Sequence, residues 1–349
     1  MNKKGTYLVI TPFFPSNESF VGSYIYDQVS EIQKQTNLNI EIVKVVSYFS
    51  SESDYTFNGF KINIFKHIDF PYFIFPGFFN SWNKKRFSKY LCKKNITDIF
   101  FSHSHVSYPA AYLVENLICK KIVQHHGLDV LQLTNGRFNL FRKIQRDYLV
   151  KNTIKHLNKV DLNVGVSKKV LRGLRNYDMY NPKDEIVLYN GVDRSKFYYI
   201  PRKKRNKEFT IGCVANFWKI KDHISLIIAV KLLVDDGFDC KLRLIGSGPT
   251  YSDCYNFVLK HNLHNIITFE KEKKHEQLND FFNDIDLFVL PSYYEAFGCV
   301  YMEAWATNTP FIAIQEQGIS EIITKEKRSA FLTEKENPFV LKEKIEYIA

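Results

Sequence analysis

The stretch "DLFVLPSYYEAFGCVYMEAWATNTPFIAI", residues 286–314, decides the fold. An almost wholly apolar run ends at Pro291 and Ser292, and a polar loop then carries Glu295. A helical pattern begins near Gly298, and a second apolar run starts at Pro310. Apolar runs this short read as strands buried on both faces, and a helix between two of them makes the pair parallel.

The same alternation runs the length of the chain. Strands are expected at 7–14, 39–48, 61–68, 98–103, 121–126, 160–167 and 185–190. They resume at 209–217, 241–246, 266–270, 286–292 and 310–314. Helical patterns fill most of the gaps, among them 22–36, 107–119, 137–159, 222–236, 251–261 and 298–307. The expected fold class is therefore α/β, with doubly wound, Rossmann-like sheets. "YYIPRKKRNKEFT" (198–210) is proline-marked, basic and free of apolar periodicity, and a fresh strand follows it. A first domain over 1–197, a linker over 198–208 and a second domain over 209–349 are expected. In open α/β sheets ligands bind beyond the carboxyl ends of the strands, so two such halves are expected to face a cleft that holds the site.

The composition narrows the function. A net charge of +11 invites a nucleic-acid reading, but the basic residues are spread out and no zinc-finger, RRM-type or helix-turn-helix signature occurs. An anionic small substrate or membrane surface satisfies the same bias. The six cysteines include no C-x-x-C pair, which argues against a disulfide framework and for a reducing cytoplasm. Residues 1–15 read as a first strand and not as a signal peptide, and no run approaches the roughly 18 apolar residues of a membrane span.

The chemistry concentrates in the opening stretch. A helix N-terminus offers backbone N–H groups and a positive dipole end to a phosphate, and Gly298 lets a ligand approach the backbone. Glu303, about one and a half turns into the helix, is placed to accept hydrogen bonds from the vicinal hydroxyls of a ribose. Glu295, on the loop, falls beyond the phosphates, near whatever they carry. A nucleoside diphosphate bearing a polar group suits this spacing. A loop glutamate and a solvated helix glutamate are the alternative.

"LPSYYEAFGCVYMEAWATNTPFIA" resembles the donor-site signature of retaining GT-B glycosyltransferases of family 4: a serine-bearing strand end, E-x-F-G, then a second Glu followed by Ala. Further landmarks stand in the family's order: "TPFFPSNESFVGSYIYDQ" (11–28), "HSHVSYPAAYL" (103–113), "QHHGLDV" (124–130), "VGVSKKVLRGL" (164–174), "LYNGVDRSKF" (188–197) and "LIGSGP" (244–249). The resemblance implies a first domain that binds the acceptor and a second that binds the sugar nucleotide. It implies that Glu303 holds the ribose and that Glu295 contacts the donor sugar. Phe297, Gly298, Cys299 and Val300 would present their amides to the diphosphate and sugar. His126 would stand near the transferred sugar, with a satisfied strand-end histidine as the alternative. Gly22, Lys221 and Gly246 complete the expected donor contacts. The sequence departs from the pattern at Asn216, where the family carries an arginine aimed at the diphosphate. Asparagine cannot supply that charge, although Lys219 lies close by.

No resident cofactor is implied: the UDP- or GDP-linked sugar is a co-substrate, and the acceptor is a glycan or lipid-linked oligosaccharide of bacterial surface polysaccharide synthesis. His103, His105, His125 and His126 suggest a metal, but alternation along strands sends neighbouring side chains to opposite faces, and no D-x-D pair accompanies them. "DID" (284–286) reads as a helix-to-strand connection. Residues 61–95 contain ten aromatic residues, including Phe73, Phe75, Phe78, Phe79 and Trp82, beside the basic stretch "NKKRFSKYLCKK" (83–94). They suit peripheral contact with the anionic inner membrane or, equally, core packing beside a solvated helix. Residues 337–349 read as one helix, where the resemblance implies a further one that crosses back; the chain is expected to be short by design or incomplete there. The alternatives are a related GT-B phosphorylase or epimerase, against which E-x-F-G argues, and a donor-binding scaffold subunit, which Asn216 favours.

Overall fold

The computed structural model describes residues 5–19, 21–68, 77–106, 108–127, 140–202 and 208–349, with the backbone alone for 140–148. Phe73, Phe75, residues 128–130 of "QHHGLDV" and residues 203–207 of the basic linker lie outside the described residues. The chain forms two compact units, residues 1–189 and 190–349.

The first unit holds an eight-stranded sheet among its described residues. The strands are β1 (Thr6–Thr11), β2 (Asn39–Ser47), β3 (Tyr55–Phe57), β4 (Phe60–His67), β5 (Ile99–Ser104), β6 (Lys120–His125), β7 (Leu162–Gly165) and β8 (Glu185–Val187). Their spatial order is β3-β4-β2-β1-β5-β6-β7-β8, and every pairing is parallel except β3 with β4. Strand β1 shows why both faces are covered. Leu8 and Ile10 point into one core with Phe65, Phe87 and Tyr112, whereas Tyr7 and Val9 point into another with Ile25, Val29 and Ile62. Each such side chain buried contributes about 1.5–3 kcal/mol. The helices over these faces are α1 (Ser23–Gln35), α2 (Asn80–Lys93), α3 (Ala110–Leu113), α4 (Leu140–Leu157) and α5 (Lys168–Arg175). Helix α5 starts where Ser167 accepts a hydrogen bond from Val170 N at 3.2 Å.

The second unit is a six-stranded, wholly parallel sheet of β9 (Phe209–Val214), β10 (Cys240–Ile245), β11 (Ile267–Glu270), β12 (Leu287–Leu290), β13 (Phe311–Ile314) and β14 (Leu332–Thr333). The order is β11-β10-β9-β12-β13-β14, the doubly wound arrangement in which the chain reverses direction between β9 and β12. The crevice beyond the carboxyl ends of those two strands is where such sheets take ligands. Its helices are α6 (His223–Asp235), α7 (Tyr251–Lys260), α8 (Leu278–Asp284), α9 (Cys299–Ala306), α10 (Arg328–Phe331) and α11 (Pro338–Ile348).

Residues 190–197, expected in the first domain, group with the second unit. Phe197 is buried and packs edge-on against Phe282 and His275. The first residues of the linker are also tied down there. Tyr198 N and Ile200 N donate to Asn279 Oδ1 and Asn283 Oδ1 at 2.9 and 2.7 Å, and Arg202 pairs with Asp286 at 2.6 Å. Among the described residues no helix is long and apolar enough to cross a membrane. All six cysteines are free thiols.

Candidate functional site

In the second unit the site grows from the loops that follow β9 and β12. After Val214 the backbone of 215–217 lies against the loop after β10, where Ala215 N donates to Ile245 O at 3.1 Å and Phe217 N to Ser247 O at 2.8 Å. The approach is so close that a Cβ on Gly246, at φ 144°, would stand 2.1 Å from Ala215 O. Phe217 is buried and stacks on His223 at 4.0 Å, which anchors the loop to the start of α6. Burial holds His223 down to about 4, with Lys221 adding to the effect, so it is neutral. Between them a single 3₁₀ turn, Lys219–Lys221, ends on Asp222 in the left-handed region at φ 52°. Lys221 Nζ bonds Glu295 Oε1. Asn216 and Lys219 are exposed.

After β12 the chain is laced to that same turn. The buried Ser292 Oγ lies 3.0 Å from Ile220 O and 3.1 Å from Tyr294 O, and Tyr293 N donates to Ile220 O at 3.0 Å. Glu295 is buried, and its backbone N donates to Gln317 Oε1 at 2.7 Å. Gly318 passes so near that an added Cβ would lie 1.8 Å from Ala296 O. Phe297 is buried, and Gly298, at φ 85°, turns the chain into α9 over the ring of Tyr301. No side chain caps α9, so its first turn, with Cys299 and Val300, presents the positive end of the helix dipole.

Glu303 follows one turn later and is also buried. His275 Nε2 donates to its Oε1 at 2.9 Å. Both carboxylates lie near the Cys299 thiol. Burial first, then Glu303, pushes that thiol up to about 12, so it stays protonated and is no nucleophile. Asn190 Nδ2 donates to Cys299 Sγ at 3.3 Å. The second unit thus brings Lys221, Glu295, Phe297, Gly298, Cys299, Val300 and Glu303 to its switch point, with Gly246 beneath the loop. The chemistry available is that of an anion seat flanked by two carboxylates.

Three residues of this site were missed in the sequence. His275 sits in the polar run "KEKKHEQ", Gln317 in "QEQG", and Gly318 beside it. The close approach of Gly318 to the backbone of Ala296 explains why a glycine stands there, and the sequence carries no sign of that neighbour.

In the first unit the loops after β1, β5 and β6 converge. Gly22 opens α1 at φ 91°, and an added Cβ would stand 2.9 Å from the carbonyl of Phe13. Tyr24 in the first turn lies 4.8 Å from the His126 ring. His126 Nε2 is 3.1 Å from His105 Nδ1, and His105 stacks on His103 at 4.3 Å. His103 Nδ1 in turn bonds the Tyr7 hydroxyl at 2.7 Å. Burial holds His103 down to about 4; burial, then His103 and His126, hold His105 well below the ordinary histidine range. His125 turns away to Asn163 Oδ1 at 3.0 Å. Among the described residues no group of three or more His, Cys, Asp or Glu is placed to hold a metal ion.

Comparison with known proteins agrees with this architecture. The family model described as "Glycosyltransferase Family 4" matches residues 22–196, and that described as "Glycosyl transferases group 1" matches residues 199–349. An uncharacterized glycosyltransferase of Methanocaldococcus jannaschii is 30% identical over 264 residues, 73% of this chain and 68% of that protein. The capsular polysaccharide biosynthesis glycosyltransferase CapM of Staphylococcus aureus is 29% identical over 157 residues, which span 44% of this chain and 40% of CapM. Among solved structures, sucrose-phosphate synthase from Thermosynechococcus elongatus superposes with a TM-score of 0.76 at 16% identity, over 98% of this chain and 89% of that one. HepE from Anabaena, in complex with UDP and glucose, gives 0.71 at 14% identity, again over 98% and 89%. At these identities the superpositions speak for the GT-B fold alone. The chain belongs to the group 1 glycosyltransferases, family 4, and has their two doubly wound units.

Proposed function

We propose that this chain is a retaining glycosyltransferase that moves a sugar from a nucleoside diphosphate sugar to a hydroxyl of a glycan or lipid-linked acceptor in surface polysaccharide synthesis. The observation that carries this reading is the pairing of Lys221 with Glu295 beside the uncapped start of α9, with Glu303 held by His275 one turn on. The UDP and glucose held by HepE and the polysaccharide role named for CapM support it.

In the proposed reaction Glu303 accepts hydrogen bonds from the ribose hydroxyls. The α9 amides and Lys221 take the charge that develops on the departing diphosphate, without a metal ion. Glu295 and His126 orient the sugar. The acceptor oxygen attacks the anomeric carbon on the face from which the diphosphate leaves, and the donor's own phosphate takes the acceptor proton. The paired carboxylates of glycoside hydrolysis are not needed. With an exposed asparagine at 216, Lys221 carries more of the leaving-group charge than it would beside an arginine.

The test is proton NMR of the product formed from UDP- or GDP-sugars and a glycan or lipid-linked acceptor. A product with the donor's anomeric configuration is expected, and an inverted one would overturn the reading. A second reading, a donor-binding subunit without turnover, is favoured by Asn216 and is excluded by any product.

The same proposal places α2 against an anionic bilayer. Phe78, Trp82, Lys85, Lys89 and Lys93 are exposed along the helix and its approach, and Arg86 lies 4.6 Å over the Trp82 ring. Each lysine near such a surface contributes about 1 kcal/mol. Sedimentation with phosphatidylglycerol vesicles is expected, and is expected to be weakened by salt and by a Lys85→Glu/Lys89→Glu pair. Equal binding to phosphatidylcholine alone would contradict the electrostatic contact.

A further inference from the structure

On the proposed reading Glu303 must meet two ribose hydroxyls at once, and its carboxylate is already held. His275 Nε2 lies 2.9 Å from its Oε1, with the two side chains 18% and 11% exposed. A carboxylate only accepts, so the proton between them belongs to His275 Nε2, in the neutral ring and in the imidazolium alike. This holds whatever group Nδ1 meets. A carboxylate has about four acceptor positions, so the histidine takes one and leaves others for hydroxyl donors.

The histidine is itself held from two sides. Its ring meets the buried Phe197 edge-on at 5.0 Å, and Phe197 packs in turn on Phe282 of α8. Its backbone lies in the 3₁₀ turn His275–Gln277 that leads into α8. There Lys274 N donates to Gln277 Oε1 at 3.0 Å, and Gln277 N donates to Lys274 O at 2.9 Å. Phe197, His275 and Glu303 all belong to the second unit. A long side chain that is ordered before the ligand arrives spares the ligand the entropy of ordering it.

We propose that His275 is a positioning residue whose Nε2–H fixes the Glu303 carboxylate to accept the 2′ and 3′ hydroxyls of the donor's ribose, and so sets the preference of this site for ribonucleoside diphosphates over their deoxy forms. The proposal rests on the reading of Glu303 as the ribose ligand. No bond of the ribose changes in the transfer, so the contact is the same before and in the transition state. Its loss falls on KM and not on kcat.

The test is calorimetric titration of UDP and GDP, and of their 2′,3′-dideoxy forms, into the wild type, His275→Ala, His275→Phe and His275→Gln. The wild type is expected to prefer the ribonucleotide about a hundredfold and His275→Ala only about tenfold, because the variant binds the ribonucleotide more weakly and the dideoxy form as before. His275→Phe keeps a ring against Phe197 without the N–H and is expected to behave as the alanine variant does. His275→Gln puts an amide N–H near the place of Nε2–H and is expected to recover most of the preference. A tether that merely held the turn would, when cut, weaken the ribonucleotide and the dideoxy form alike. That result, or a full preference in His275→Phe, overturns the proposal. If His275→Ala does not fold, His275→Phe decides. Failure of the Glu303 reading shows separately, in the wild type: binding of neither nucleotide, or equal binding of the ribo and dideoxy forms, overturns that reading and the proposal with it.

Discussion

Lys221→Ala is expected to lower kcat about a hundred- to a thousandfold, the loss typical when one preorganised charge partner of a transition state is removed. Two features make the effect large. Position 216 is an exposed asparagine, which cannot take over the charge, and Lys219 is exposed on the turn. The lysine also neutralises the buried Glu295. Removing one partner of such a pair leaves the other carboxylate unpaired in a poor solvent, which costs stability as well as rate. Glu295→Gln in the Lys221→Ala background separates the two effects. It is expected to recover thermal stability, because no charge is left unpaired, without recovering turnover. A Lys221→Ala enzyme with near wild-type kcat would remove the lysine from the leaving-group site.

Gly318→Ala carries the second large effect. The added methyl would lie 1.8 Å from Ala296 O and 2.6 Å from Ala296 C, both backbone atoms, so no side-chain rotation relieves the clash. The loop that holds Glu295, Phe297 and Gly298 must move, and with it the hydrogen bonds from Glu295 N to Gln317 and from Gly318 N to Glu295 O. A loss of about 2–4 kcal/mol is expected, read as a fall in Tm of several degrees, together with loss of nucleotide binding. Gly191→Ala is the control: among the described residues nothing lies within 4 Å of its added Cβ. A Gly318→Ala protein with wild-type Tm and nucleotide affinity would show that this close approach does not shape the site.

The parts of the fold that were legible in the sequence are those where one short segment carries the whole signal. The apolar strands and the glycine at 298 announce the β12–α9–β13 unit without help from elsewhere. Boundaries were less legible. The first strand was expected to run to residue 14 but ends at Thr11, where Pro12 follows and the Thr11 side chain bonds the Phe13 backbone. The hairpin of β3 and β4 was missed although its Asn58-Gly59 turn, both residues at positive φ, is a strong hairpin signal. Strand β14 is two residues long and exists only because β13 is there to pair with.

The candidate site divides in the same way. Glu295 and Glu303 stood out by their spacing, and the histidines by their number. Their partners did not. His275 reaches Glu303 across 28 positions and Gln317 reaches Glu295 across 22, contacts made by the packing of loops from different strands. The pairing of His105 with His126 likewise depends on β5 lying beside β6.

The most direct test of the donor site is calorimetric titration of UDP and GDP into the wild type and Glu303→Ala side by side. One of the two nucleotides is expected to bind the wild type. On the proposed reading the alanine variant loses two charge-assisted hydrogen bonds to the ribose, and it is expected to bind the nucleotide about a hundredfold more weakly, roughly 3 kcal/mol. Equal affinity in the two proteins would contradict the assignment of Glu303, and with it the nucleotide site at the switch point of the second sheet.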